Sequence, residues 1–240
     1  MWYNRGMLHT KRLTVLAIAV CAATSIGAQP SGPERESDGE TVTVRLPAPD
    51  TVGSVTVERA ITERRSVRRY APGALSLAEL GQLLFAAQGV TETRTGYRAS
   101  PSAGATFPLE LYAAVGDVDG LSAGLYRYVP AAHELVLVNS ADPRDALYGA
   151  ALRQPMVRDA PVVLVITGVT ARTAGRYGER AERYVAMEAG HASQNVYLQA
   201  TALGLGTVAV GAFDDRSIAR ALSLPDGEDP LYLMPVGRRE

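Results

Sequence analysis

In 240 residues the chain has one cysteine, Cys21, one lysine, Lys11, and three histidines, His9, His133 and His191. Each scarcity removes a reaction class. A Schiff-base or pyridoxal-type enzyme needs a lysine amine, a Walker-type phosphate loop needs Gly-Lys, and a structural zinc site needs clustered Cys and His. Past residue 11 every basic side chain is an arginine, permanently charged and forked. A compositional bias toward arginine is the simplest cause, but the chemical consequence holds whatever the cause. No Gly-x-Ser-x-Gly elbow is present. Gly204 and Gly206 follow a helical stretch and lead into a strand, the reverse of a dinucleotide loop. They read as a helix C-cap and a tight strand entry.

The N-terminus has Lys11 and Arg12, an apolar run from Leu13 to Ala23, and then the small residues Ser25, Gly27 and Ala28. This is the order of a secretory signal peptide, and the run is too short to span a bilayer. Residues 1–28 are therefore expected to be a signal peptide, and the protein to be exported, periplasmic or secreted. Its removal leaves 21 cations against 25 acids, a net charge of about −4. That charge gives no footing for general nucleic-acid binding. The remaining chain has no cysteine and needs no disulfide in an oxidising compartment. Residues 29–56, rich in Pro, Gly, Ser and acids before "TVTVRLPAPDTVGS", read as a flexible linker and extended arm. Residues 57–240 are long enough for one domain with a full core.

Within that domain a short helix is expected over 57–65. A stronger one begins where Ser76 and Glu79 make a capping-box pattern; Leu77, Leu80, Leu84 and Ala87 repeat at helical spacing and Gly89 ends it. Residues 107–116 are β-rich, 124–138 read as a hairpin, and "DPRDALYGAALRQ" as a helix with Pro143 in its first turn. "PVVLVITG" (161–168) reads as a strand buried on both faces. A long helix over 178–203, a strand or loop at "GTVAVGAF", a helix over 214–222 and a final strand "LYLMPVG" complete an α+β layer fold.

Two polar features stand out. Arg64, Arg65, Arg68 and Arg69 crowd around Ser66. At helical spacing Arg64, Arg65 and Arg68 converge, and like charges so close call for an anion such as a phosphate. The alternative is a solvated basic face partnered by Glu58 and Glu63. In the long helix Glu188, His191 and Asn195 form a polar stripe among apolar residues, with Gln194 beside it. The stripe either lines a cofactor or substrate pocket or consists of buried groups bonded to one another and to a nearby loop.

From Val44 to Arg238, "LPAPD", "RRSVRRY", "LSLAELGQLLFAAQGVT", "PSAGATFPLELY", "GLYRY", "MEAGHASQNVYLQATALGLGTVAVGAFDD" and "MPVGR" occur in an order and spacing that resembles the FMN-dependent nitroreductase family. The resemblance is specifically to its SagB-type branch of thiazole- and oxazole-forming azoline dehydrogenases. It implies a central mixed, mainly antiparallel sheet flanked by helices, an intertwined homodimer, and FMN at the subunit interface. By that resemblance Arg64 and Ser66 contact the FMN phosphate and ribityl chain with Arg65 alongside, Arg68 approaches the pyrimidine edge, and Arg238 completes the phosphate site. Pro101, Ser102, Ala103 and Gly104 reach the flavin from the partner. Gly211, next to Ala209 and Val210, presents a backbone N–H toward N5. Arg69 is left to face solvent.

The branch places a Lys-Tyr pair ahead of its long helix, where this chain has Arg183 and Tyr184. Arginine stays protonated and is a poor base. That weakens the case for azole formation and leaves Tyr184 as the group able to donate or relay a proton. Outside the cytoplasm NAD(P)H is scarce, so hydride transfer from a small-molecule or peptide-derived substrate to flavin is the expected direction. NAD(P)H-dependent reduction of nitroaromatics or quinones, and a catalytically silent flavin-binding module, are the alternatives. No metal site is expected.

Overall fold

The computed structural model describes residues 41–240; the expected signal peptide and residues 29–40 of the expected linker lie outside the described residues. In chain order the first half contains β1 (Thr43–Arg45), α1 (Val57–Glu63), β2 (Tyr70–Ala71), β3 (Leu75–Ser76), α2 (Leu77–Gln88), β4 (Val90–Glu92), β5 (Tyr97–Arg98), β6 (Leu109–Val115), β7 (Val118–Asp119), β8 (Gly124–Val129) and β9 (Glu134–Asn139). The second half contains α3 (Arg144–Ala150), α4 (Pro155–Asp159), β10 (Val162–Gly168), α5 (Thr170–Tyr177), α6 (Ala181–Ala202), β11 (Leu205–Thr207), α7 (Asp215–Leu222) and β12 (Asp229–Arg239).

The main sheet runs β1-β9-β8-β6-β10-β12-β11, with β2 also on β12. Its ladders are antiparallel. A parallel bridge between Ser66 and Thr207 makes the sheet mixed, as expected from the sequence. Side chains alternate across it. Leu111, Ala113 and Val115 of β6 and Val162, Leu164 and Ile166 of β10 pack under α2 and α6. Tyr112, Ala114, Val163 and Val165 face the other way, under α3, α4 and α7. Both faces of the central strands are thus covered, which explains the uninterrupted apolar run of β10. Leu164 is 1% exposed, so its replacement by alanine is expected to cost about 2–5 kcal/mol.

The Ser76–Glu79 capping box is complete: the Ser76 hydroxyl accepts from Glu79 N–H at 3.2 Å and the Glu79 carboxylate accepts from Ser76 N–H at 2.8 Å. The 124–138 hairpin is present as β8 and β9. α4 and α5 have no counterpart in the sequence-derived expectations. One expectation is corrected. The helix expected through residue 65 ends at Glu63, and Arg64 leaves it at φ −56° and ψ 125°. The chain is pulled out of the helix by the sheet edge, where Val67 N–H donates to the Thr207 carbonyl at 2.9 Å. Gly206 makes this approach possible, since a Cβ there would lie 2.6 Å from Val67 Cγ1.

Candidate functional site

Residues 64–69 are not helical: Arg64 leaves α1 in an extended conformation and Ser66 bridges Thr207. The convergence of Arg64, Arg65 and Arg68 expected on a helix does not occur. Arg65 turns back instead, donating from Nη1 to the carbonyls of Thr62 at 3.0 Å and Arg64 at 2.8 Å, and so caps α1. Arg68 and Arg69 are exposed, as expected for Arg69.

The residue that organises this edge is Tyr197 of α6, which sequence reasoning missed. Its ring lies 5.0 Å beneath the Arg64 guanidinium. Its hydroxyl is 3.1 Å from Ser66 Oγ and accepts from Ala209 N–H at 2.8 Å. One phenol therefore joins the arginine segment to Ala209, Val210 and Gly211. Val210 is fixed by reciprocal backbone bonds with Leu233 at 2.8 and 3.0 Å. Gly211 is exposed, and its N–H has no backbone acceptor among the described residues. Thr207, bridged to Ser66, has a buried hydroxyl without a partner.

Arg238 is held differently. It donates from Nη2 to Glu79 at 2.9 Å and to the Ala74 carbonyl at 2.9 Å, and from Nη1 to the other Glu79 oxygen. Burial alone would raise the Glu79 carboxyl, but the bonds from Arg238 and Ser76 outweigh it and hold the group below the usual value. The arginine that turns toward α1 is the next one, Arg239, whose Nη2 donates to the Glu63 carbonyl at 3.3 Å.

At the other end of α6 sits the Pro101–Gly104 loop. Glu188, 4% exposed, accepts from Ala103 N–H at 2.7 Å and has the Ser102 hydroxyl close by. The Ser102 oxygen in turn accepts from Phe107 N–H at 2.9 Å. Burial raises the Glu188 carboxyl above its ordinary value despite these bonds. Asn195 fixes the loop's approach, donating to the Ala86 carbonyl at 3.0 Å and to Ser100 Oγ at 3.1 Å. Of the two readings of the polar stripe, Glu188 and Asn195 follow the one with bonds to a neighbouring loop, whereas His191 is exposed and makes no hydrogen bond among the described residues.

The loop is wound tightly. Gly104, Ala105 and Phe107 have φ of 59°, 54° and 45°, a region costly for the latter two. A Cβ on Gly104 would lie 2.7 Å from the Tyr177 hydroxyl. Tyr177 meets Tyr184 edge-to-face at 5.0 Å, so Tyr184 stands beside this loop. Arg172 and Arg176 hold the carbonyls of Phe107 at 3.2 Å and Gly104 at 3.3 Å.

The predicted residues therefore gather at two places on one helix. Arg64, Ser66, Ala209, Val210 and Gly211 surround Tyr197, with Arg68 on the same exposed edge; Pro101 to Gly104 and Tyr184 surround Glu188. Nine residues, about 13–14 Å of helical rise, separate the two centres. A hollow of about 680 Å³ between the Pro49–Val57 arm, α2 and α6 has Asp50 as its one charged lining residue. It offers no converging donors. Among the described residues no cluster of metal ligands occurs and no helix is long and apolar enough to cross a membrane.

Residues 61–238 match the Nitroreductase family. The chain is 47% identical over 201 residues to "Putative nitroreductase MJ1384" of Methanocaldococcus jannaschii, covering 84% of this chain and 98% of that one. It is 34% identical over 182 residues to the trifolitoxin-processing protein TfxB of Rhizobium leguminosarum bv. trifolii, covering 70% of this chain and 49% of that protein. A crystal structure from Ralstonia eutropha JMP134, of a protein described in the same terms as the M. jannaschii relative, superposes with a TM-score of 0.74 at 32% identity. That match covers 82% of this chain and 90% of the other.

Proposed function

The chain belongs to the nitroreductase family of flavin-dependent oxidoreductases, and from that premise we propose that it is an FMN enzyme of the SagB-type branch, working as a homodimer. The observation that carries the proposal is the Tyr197 hydroxyl. By bonding Ser66 and Ala209 together it brings the arginine edge and the Gly211 N–H to one corner of the fold.

The donor set there fits FMN. A phosphate dianion needs several charge-assisted donors, and Arg64, Arg68 and Ser66 are available. Neither arginine is in an ion pair among the described residues. We assign Arg64 and Ser66 to the phosphate and ribityl end, Arg68 to the ring edge and the Gly211 N–H to N5. Arg65 supports them from behind by capping α1. Arg238, whose Nη1 and Nη2 are taken up by Glu79 and the Ala74 carbonyl, adds little to the ligand's binding and holds the edge in place. Pro101 to Gly104 of the partner subunit complete the site. FMN supplies hydride exchange at N5. Tyr184, standing beside the loop, donates or relays a proton.

The direction proposed is substrate oxidation, with a small-molecule or peptide-derived donor and an acceptor such as oxygen or a quinone. Two things favour this: the relationship to a protein named for processing trifolitoxin, and the export signal read in residues 1–28. NAD(P)H-dependent reduction of nitroaromatics or quinones is the second reading, favoured by the name of the 47% identical relative. Identifying the chromophore released from purified protein tests the cofactor; FMN is expected, and another flavin or none would refute it. Anaerobic mixing separates the directions. Rapid bleaching by NAD(P)H alone would overturn the oxidase reading in favour of the reductase.

A further inference from the structure

Beside the Pro101–Gly104 loop lies a cavity of about 530 Å³, the size of a small-ligand pocket. Its walls combine two kinds of group. Tyr97, Pro101, Ala105 and Phe107 give an apolar, ring-bearing lining, and Arg98 and Arg176 give two guanidinium groups. Arg98 is half-buried; its Nη1 is committed to Gln88 Oε1 at 2.9 Å and the Leu109 carbonyl at 3.4 Å. Its guanidinium rests 4.8 Å over the Phe107 ring, which fixes the orientation of the fork. Nε and Nη2 make no protein hydrogen bond, yet they are not among the sealed, unpartnered atoms of the described residues. Arg176 uses one donor on the Gly104 carbonyl and lies 5.7 Å over the Tyr177 ring, its remaining N–H groups making no hydrogen bond among the described residues.

The nearby carboxylates are engaged elsewhere. Glu110 pairs with Arg172 at 2.6 Å and Arg127 at 3.8 Å, and Glu188 accepts from Ala103 N–H at 2.7 Å. Neither Arg98 nor Arg176 forms an ion pair among the described residues. Two cations with spare donors at the wall of an apolar pocket select an anionic group on an apolar body. The left-handed Ala105 and Phe107 that shape this wall are strained backbone, which persists where the surrounding structure enforces it and clusters at ligand sites.

We propose that this cavity is the substrate subsite and that it takes a small organic carboxylate with a ring-bearing apolar body, Arg98 and Arg176 receiving the carboxylate and Phe107 and Tyr97 flanking the body. The proposal rests on the FMN-oxidoreductase reading for the word substrate; carboxylate binding itself does not depend on that reading.

The test is calorimetric titration of the FMN-loaded protein with 3-phenylpropionate and, separately, with its uncharged amide. The carboxylate is expected to bind at least about tenfold more tightly, and Arg176→Gln to remove most of that preference. Arg98→Met should remove it entirely and Arg98→Lys restore part of it. Flavin content is read alongside in each variant, because Arg176 holds the Gly104 carbonyl of the loop assigned to the partner's FMN, and the acid-to-amide ratio is compared at equal flavin occupancy. Equal binding of acid and amide to the unmodified protein would overturn the proposal, as would a preference untouched in Arg176→Gln, which is exposed and should fold even if Arg98→Met does not. A protein that takes up no flavin would refute the FMN reading, while the acid-to-amide ratio would still decide whether the carboxylate site exists.

Discussion

At Glu188 the polar groups of the adjoining loop are bonded inside the protein, whereas nine residues further along the same helix the arginines and serine around Tyr197 keep donors facing outward. The Glu188 end is self-satisfied: Ala103 N–H, the Ser102 oxygen, Phe107 N–H and the carbonyls of Gly104 and Phe107 all have partners. The Tyr197 end is held by one phenol, and Arg68 makes no hydrogen bond among the described residues. A surface meant to position something benefits from the first arrangement, because rigidity comes from internal bonds. A surface meant to receive an anion needs the second, because unmet donors are what the anion satisfies.

The largest effect expected from this contrast is at Glu188. Glu188→Ala strips the Ala103 N–H of its acceptor inside a buried site and should cost about 1–3 kcal/mol. Thermal denaturation would then shift down by roughly 3–10 °C. Glu188→Gln keeps an acceptor for Ala103 N–H and should lose much less. The same carboxyl has a pH signature. Its folded value is raised above 4.5 by burial, so its contribution is complete below that pH and is lost as pH rises through the folded value. Glu79, lowered by Arg238, behaves oppositely: its contribution is present above 4.5 and is lost as pH falls through its folded value. Denaturant midpoints from about pH 3 to pH 8 should show the alkaline-side loss vanish in Glu188→Gln and the acid-side loss shrink in Arg238→Ala.

Next in size is a pair of arginine variants that places the comparison inside the cofactor site. Arg64→Ala should leave the flavin-free fold within about 0.5 kcal/mol of the parent while weakening FMN binding about tenfold to a hundredfold. Arg238→Ala should do the reverse. It breaks a partly buried pair with Glu79 at a cost of about 1–2 kcal/mol and changes FMN affinity little. If Arg238→Ala released flavin as readily as Arg64→Ala, the guanidinium would be shared with the ligand and the division between the two would collapse.

These assignments differ in how readable they were. The Ser76–Glu79 cap was legible because it is a contact across three residues. That Glu79 also holds Arg238, 159 residues away, is a tertiary fact that local spacing does not encode. The arginine cluster was legible as a group but not as a geometry, since pairing with Thr207 and not propensity chose the extended form. Within the stripe, 100° per residue returns Asn195 to within about 20° of Glu188 and leaves His191 about 60° aside, which accounts for its exposure. Tyr197 was invisible for a simpler reason: a tyrosine among Val, Leu and Ala reads as core. Gly104 and the "PSAG" loop were recoverable from family resemblance, while the strain at Ala105 and Phe107 was not.

The smallest expected effect lies at Thr207, on the boundary of the outward-facing end. Its hydroxyl is buried and unpartnered, and an orphaned polar atom destabilises the fold that holds it. Thr207→Val keeps the side chain's shape and removes the orphan, so the flavin-free protein should gain about 1 kcal/mol, or roughly 2–4 °C in thermal midpoint. FMN affinity should be unchanged if the hydroxyl is only a leftover of close packing between β11 and the Ser66 segment. A loss of FMN affinity without the gain in stability would instead make Thr207 a further outward-facing donor, extending the Tyr197 end inward by one strand. Titrating FMN into the Thr207→Val protein and melting it without flavin separate the two outcomes, because one moves the midpoint and the other moves the dissociation constant.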